Sequence, residues 1–162
     1  MVGIDILKKI HFLQDLSDEV LEKIGGIAQL ETFDEEAILV RQDQKLHLIY
    51  MLVTGKIFSN CRSASGKALT LDELSPGQTF GVSALIGDSL ATFTAICAEE
   101  CTVITLSSDQ MIQLFEQDFK LGYVVMQQVV ELFKSKMNKH TRQFLHSLAT
   151  HPAMGEIQKD PI

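Results

Sequence analysis

Ser75-Pro76-Gly77-Gln78-Thr79-Phe80-Gly81-Val82-Ser83-Ala84-Leu85-Ile86-Gly87-Asp88-Ser89-Leu90-Ala91-Thr92-Phe93-Thr94-Ala95 reads as a glycine-hinged turn, a short helix and a loop that re-enters a strand. Backbone amides at the start of a short helix are a ready anion site. Yet no Lys, Arg or His occurs from Ala68 through Phe119. The stretch has the outline of a phosphate cradle and lacks a cation.

On both sides of it the chain is written in short β runs. Ala37–Arg41, Leu48–Val53, Lys56–Cys61, Lys67–Asp72, Thr92–Ala98 and Thr102–Leu106 are the candidate strands. Thr54-Gly55, Ser63-Ala64-Ser65-Gly66 and Ser75-Pro76-Gly77 are the turns between several of them. Many short strands separated in this way predict a sandwich, jelly roll or barrel. Leu48-Ile49-Tyr50-Met51-Leu52-Val53 is apolar on both faces, the pattern of a central, buried strand.

Helices flank the β region. Ser17 is suited to cap Asp18-Glu19-Val20-Leu21-Glu22-Lys23-Ile24, whose two acids sit in the first turn, where the helix dipole favours them. Leu16 and Leu21 have the spacing of a hydrophobic staple. Gly25-Gly26 weakens the helix, and one of the two is expected to cap it. Ile6, Leu7, Ile10, Leu13 and Leu16 suit a short helix upstream. Beyond Leu106, Ser107 or Ser108 can cap Asp109–Phe115, and a long helix is predicted from about Lys120 to Leu148. Within it Met126, Val130, Phe133, Met137, His140 and Phe144 step by four and three, a heptad seam with one polar position. Val125, Val129 and Leu132 form a second apolar stripe. One stripe is expected to pack on the β region and the seam to meet a partner helix, most simply that of a second copy.

The boundaries that follow are a helical lead-in over 1–29, a β core over 30–107, a hinge helix and long helix over 108–150, and a loose tail over 151–162. The chain of 162 residues is long enough for one domain with a real core. Its 46% hydrophobic and 22% charged residues are ordinary for a soluble globular protein. A net charge of −7 disfavours nonspecific binding to DNA or anionic membranes. No apolar run approaches the ~18 residues of a membrane span, and Met1–Lys9 lacks the order of a signal peptide. Cys61, Cys97 and Cys101 are odd in number and show no paired spacing, which points to a reduced, cytoplasmic setting.

The order and spacing of these features resemble the cyclic-nucleotide-binding domain family. Phe12-Leu13-Gln14-Asp15-Leu16-Ser17, Ile49–Ile57 and Pro76-Gly77-Gln78-Thr79-Phe80-Gly81 carry the likeness, which spans roughly Ile10 to Leu148. The resemblance implies a mainly β fold: an eight-stranded jelly roll with N-terminal helices, a hinge helix and a long C-terminal helix. It places the phosphate-binding cassette at Phe80, Gly81, Val82, Ser83, Ala84 and Leu85, continuing at Ala91, Thr92 and Phe93. The family's cassette has a Glu that accepts from the ribose 2′-hydroxyl and an Arg that pairs with the cyclic phosphate. Here those positions are Val82 and Ala91.

Slipping the register does not restore the Arg, because the whole 68–119 interval has no basic residue. Arg62 and Lys67 lie on neighbouring strands, and nothing in the sequence brings them over. A hydrogen bond to a charged group contributes about 1.5–3 kcal/mol. Losing two such anchors weakens binding by roughly 10²–10⁴-fold. Tight binding of cAMP or cGMP is therefore not expected, and a pocket walled by Val82, Ala91, Phe93, Leu85 and Leu71 suits an uncharged ligand or none.

Other chemistries find less support. Cys97-Ala98-Glu99-Glu100-Cys101 spaces two thiols by four, and without a second ligand pair elsewhere this is no structural zinc pattern. Buried, inert thiols are the expectation, a redox role requiring an exposed and acidic thiol. His11, His47, His140, His146 and His151 form no metal or haem motif, and no metal or cofactor is expected. There is no Gly-x-Ser-x-Gly elbow, Walker loop or dinucleotide fingerprint, so no enzyme is expected. The chain stops at Ile162, where transcription regulators of this superfamily continue into a helix-turn-helix, so direct DNA reading is not expected of it. Two functions remain. One is a non-catalytic sensor or regulatory module that dimerises through the Met126–Phe144 seam. The other is a ligand-free structural or adaptor domain acting through its apolar C-terminal helix.

Overall fold

The computed structural model describes residues 1–87 and 89–150. Asp88 and the expected loose tail 151–162 lie outside the described residues. The chain divides into two units, residues 1–126 and the residues from Gln127 onward.

The first unit is built on two four-stranded antiparallel sheets. One has the order β1 (Gln29–Phe33), β8 (Cys101–Ser107), β3 (Leu48–Thr54), β6 (Thr79–Phe80). The other runs β2 (Ile38–Val40), β7 (Thr94–Cys97), β4 (Ile57–Arg62), β5 (Ala68–Leu74). This is the jelly roll expected. The apolar run 48–53 forms β3, paired on both sides, with Tyr50 opposite Phe80 on β6 and opposite Thr105 on β8. Ile49, Met51 and Leu52 are wholly buried, since an interior strand covered on both faces has no solvent side to keep polar. Between the sheets Leu52, Ile57, Phe80, Ala95, Cys97, Cys101 and Val103 form the core.

Two strands stand beyond the sequence reading. β1 carries Leu30 half-exposed and no clean alternation, so its strand state comes from five paired residues on β8. β6 has only two residues, too few to show a period.

The lead-in departs from expectation in two places. Only Ile4–Leu7 (α1) is helical upstream of Ser17. From there the chain advances in three-residue turns, Ile10 N–H to Leu7 O, Leu13 N–H to Ile10 O and Leu16 N–H to Leu13 O, at 3.0–3.1 Å. The spacing of three keeps Leu7, Ile10, Leu13 and Leu16 all buried without a continuous helix. α2 (Asp18–Ile27) starts as predicted, with Val20 N–H donating to Ser17 Oγ at 3.4 Å. It does not end at Gly25-Gly26 but runs through both to Ala28. The reason is contact: Val2 N–H donates to Gly25 O at 2.9 Å, and a Cβ on Gly25 would collide with Val2 O. Gly25 therefore serves close approach of the N-terminal segment rather than a cap.

Ser107 caps α3 (Ser108–Gln117), accepting from Gln110 N–H at 3.4 Å. Asp118 alone separates α3 from α4 (Phe119–Thr150). Its carboxylate accepts from Leu121 N–H at 3.0 Å, capping α4. The same group takes Lys23 Nζ of α2 at 2.8 Å, so one side chain ends one helix, starts the next and ties both to the lead-in. Lys23 holds the Asp118 carboxyl below its ordinary range, with the Leu121 amide adding to the effect. Asp118 and then Glu19 raise Lys23 in turn.

Gly25→Ala is expected to lower stability by about 1–3 kcal/mol through overlap with Val2. Gly26→Ala, with nothing within 4 Å of the new Cβ, is expected to raise it by about 0.5–1 kcal/mol. Equal effects in urea unfolding would contradict this account of the pair. At Asp118 the sign is fixed by a lowered folded-state pKa: its stabilisation is present above the ordinary carboxylate pKa and is lost as pH falls through the folded value. Asp118→Asn, which keeps a capping oxygen, should therefore lie below the parent in stability at pH 7 and converge with it near pH ~2. A constant offset across that range would show that the ion pair is not the cause.

Candidate functional site

The cassette hangs on Tyr50. From β3 its ring stacks on Phe80, with centroids 4.9 Å apart and planes 6° from parallel. Its hydroxyl crosses between the sheets and donates to Leu39 O on β2 at 3.0 Å. Burial raises the pKa of this phenol, with Glu31 adding to the shift, so it stays a neutral donor. Phe80 in turn meets Phe93 at 6.2 Å, tilted by 55°.

Gly81 follows Phe80 at φ 81°, and a Cβ there would meet Leu48 O at 2.8 Å. The position thus demands glycine twice over, for its left-handed backbone and for the approach to β3. Val82–Leu85 is a four-residue 3-10 turn rather than an α-helix. Ala84 N–H donates back to Gly81 O at 3.1 Å and Ile86 N–H to Ser83 O at 3.0 Å. Those amides are engaged within the turn, so the turn is no general anion site.

The returning loop is zipped to residues 43–46. Ala91 N–H donates to Gln44 O and Asp43 N–H to Ala91 O, both at 2.8 Å, while Leu46 N–H donates to Ser89 O at 3.0 Å. Gln42 N–H adds a bond to Thr94 Oγ1 at 3.0 Å. Ser89 Oγ closes the loop on Ser83 O at 2.7 Å. The zipper brings a basic residue, Lys45, next to position 91, as the partner of Leu90 in a β-bridge. Leu90 is exposed, and residues directly opposite share a face, so this bridge sits on the outer side, away from buried Ala91.

The resulting cavity has about 40 Å³ of room and is lined by Val40, Leu46, Phe80, Gly81, Ser83, Ala91, Thr92 and Phe93. That admits a few waters, against the roughly 300 Å³ or more of an ordinary small-molecule site. Six of the nine cassette positions, Phe80, Gly81, Ser83, Ala91, Thr92 and Phe93, come together here. Val82 and Ala84 are buried in the turn without lining the cavity, and Leu85 is half-buried beside them. Leu71 does not line it either: β5 bulges between the pairs Ser59–Asp72 and Asn60–Thr70, leaving Leu71 unpaired and half-exposed. Val40 and Leu46 complete the wall without any sequence motif to mark them. Their one signal is position, flanking a loop that the returning segment covers.

The remaining candidates lie away from the cavity. Cys97 and Cys101 are buried core thiols; Cys101 Sγ donates to Lys56 O and to Glu99 O at 3.2 Å. Burial, with the hydrogen bond to Cys101 second, pushes the Cys97 thiol up to about 12, the opposite of what a reactive thiol needs. Among the described residues, no group of three or more His, Cys, Asp and Glu comes together to hold a metal ion. No helix among them is long and apolar enough to cross a membrane. Of the seam, Val130, Phe133, Met137 and Phe144 are exposed, as is His140, and Met126 is half-buried.

Residues 30–118 match the cyclic nucleotide-binding domain. Human cGMP-dependent protein kinase 2 is 25% identical over 127 residues, 74% of this chain and 17% of the kinase, so the chain spans about a sixth of the curated relatives it matches. A cyclic nucleotide-binding domain from Methylobacillus flagellatus superposes with a TM-score of 0.79 at 17% identity, covering 88% of this chain and 80% of that one. The catabolite activator protein of Thermus thermophilus gives 0.71 at 18%, covering 85% and 63%. The matched span takes in the two sheets, the cassette and the hinge helix α3: the chain belongs to the cyclic nucleotide-binding domain family.

Proposed function

We propose that this chain is a non-catalytic regulatory module whose cassette does not hold cAMP or cGMP tightly. The observation that carries the reading is the cassette itself. Val82 and Ala91 stand where the family's Glu and Arg are expected, no basic residue lies in 68–119, and the remaining space is about 40 Å³. A cyclic phosphate entering it would be desolvated with no cation to offset the cost. The free, buried Cys97 and Cys101 support a reducing, cytoplasmic setting. The exposed seam supports a homodimer through α4.

A second reading has its own support. Phe93 packs against the core cluster beside Phe80, so the protein's own side chains occupy the site. A domain filled in this way acts as an adaptor, through its surface rather than through a ligand.

Both readings are tested by thermal unfolding with about 1 mM cAMP or cGMP. The expected outcome is a Tm unchanged within about 1 °C. A site of ~10 μM affinity would stabilise the fold by about 2.7 kcal/mol and raise Tm by several degrees. Such a rise would show that the substitutions at 82 and 91 leave binding intact.

A further inference from the structure

The heptad spacing on α4 begins earlier than Met126. Phe119 and Tyr123 extend it, so that positions 119, 123, 126, 130, 133, 137, 140 and 144 step by four and three throughout one helix. Phe119 is 81% exposed and Tyr123 66%, and the exposure continues at Val130, Met137 and Phe144. A repeat of 3.5 residues is the signature of a helix that winds on another helix.

We propose that the other helix is α4 of a second copy, and that the two run antiparallel. This rests on the dimer reading above and adds its direction. The spacing reads the same from both ends, so antiparallel helices form the layers 119 with 144, 123 with 140, 126 with 137, and 130 with 133. Val130 then faces Phe133, small against large, which fills a layer better than two equal residues. Tyr123 faces His140, a phenol against an imidazole, a pair able to hydrogen-bond. A parallel, in-register pair would instead set His140 on His140, two like groups that repel once protonated.

Charge points the same way. Residues 1–118 carry 18 Asp and Glu against 8 Lys and Arg. Residues 119–150 carry Lys120, Lys134, Lys136, Lys139 and Arg142 against Glu131 alone. Parallel pairing sets basic segment beside basic segment and acidic unit beside acidic unit. Antiparallel pairing lays Lys134–Arg142 along residues 121–129 of the second copy, the turns that follow directly on its acidic residues. Opposite fields at both ends favour that direction.

The test is disulfide trapping in a Cys61→Ser background, with Met126→Cys and Met137→Cys made as separate proteins. Each alone and a refolded mixture are oxidised with diamide and run on non-reducing gels. The expected result is a covalent heterodimer in the mixture and none from either protein alone, because antiparallel copies hold their two 126 positions about 16 Å apart. Cross-linking of each protein to itself would overturn the direction and leave the dimer standing. A dimer in sedimentation that cross-links in neither way would place the interface elsewhere, and a monomer would overturn the dimer itself. Tyr123→Cys with His140→Cys is the second pair, used if the first disturbs folding as read by circular dichroism.

Discussion

The contact on which the cassette depends is Tyr50. It sits on the interior strand β3, stacks flat on Phe80, and reaches over to Leu39 O on the opposite sheet. One residue thus fixes the spacing of the sheets, the entry of the cassette and, through Phe80, the place of Phe93. A buried phenol with a satisfied hydroxyl and a full ring stack is costly to move. What surrounds it inherits that rigidity: Gly81 against β3, the short 3-10 turn, and the loop zipped to residues 43–46.

The same geometry explains why the fold can persist without the nucleotide contacts. Thr79, Phe80 and Gly81 do structural duty through β6 and β3, while positions 82 and 91 bear on the ligand in the family pattern. Substituting the second set leaves the first intact. Val82 and Ala91, both buried, are apolar where that pattern calls for charge.

Much of this was legible in the sequence because it rests on local signals. Ser17 and Ser107 announce helix starts, the two-faced apolar run announces β3, and the missing cations are a fact of composition. The unread parts depend on residues distant in the chain. β1 is a strand because β8 pairs with it, Gly25 is required because Val2 lies against it, and Leu71 leaves the cavity wall because β5 bulges opposite Ser59 and Asn60. Val40 and Leu46 enter the wall only once the 89–91 segment folds back on 43–46. The hinge shows the same division: Asp118 is readable as a helix cap, but its ion pair with Lys23 joins residues 95 apart in the chain.

The central claim is that the cassette is a scaffold filled from within. Its most direct test is the backbone amide spectrum of Gly81, Ser83, Ala91 and Thr92 while cGMP is added to about 1 mM. The account predicts no saturable shift at these amides. A saturable shift with a midpoint near or below ~10 μM, about −7 kcal/mol of binding, would contradict it.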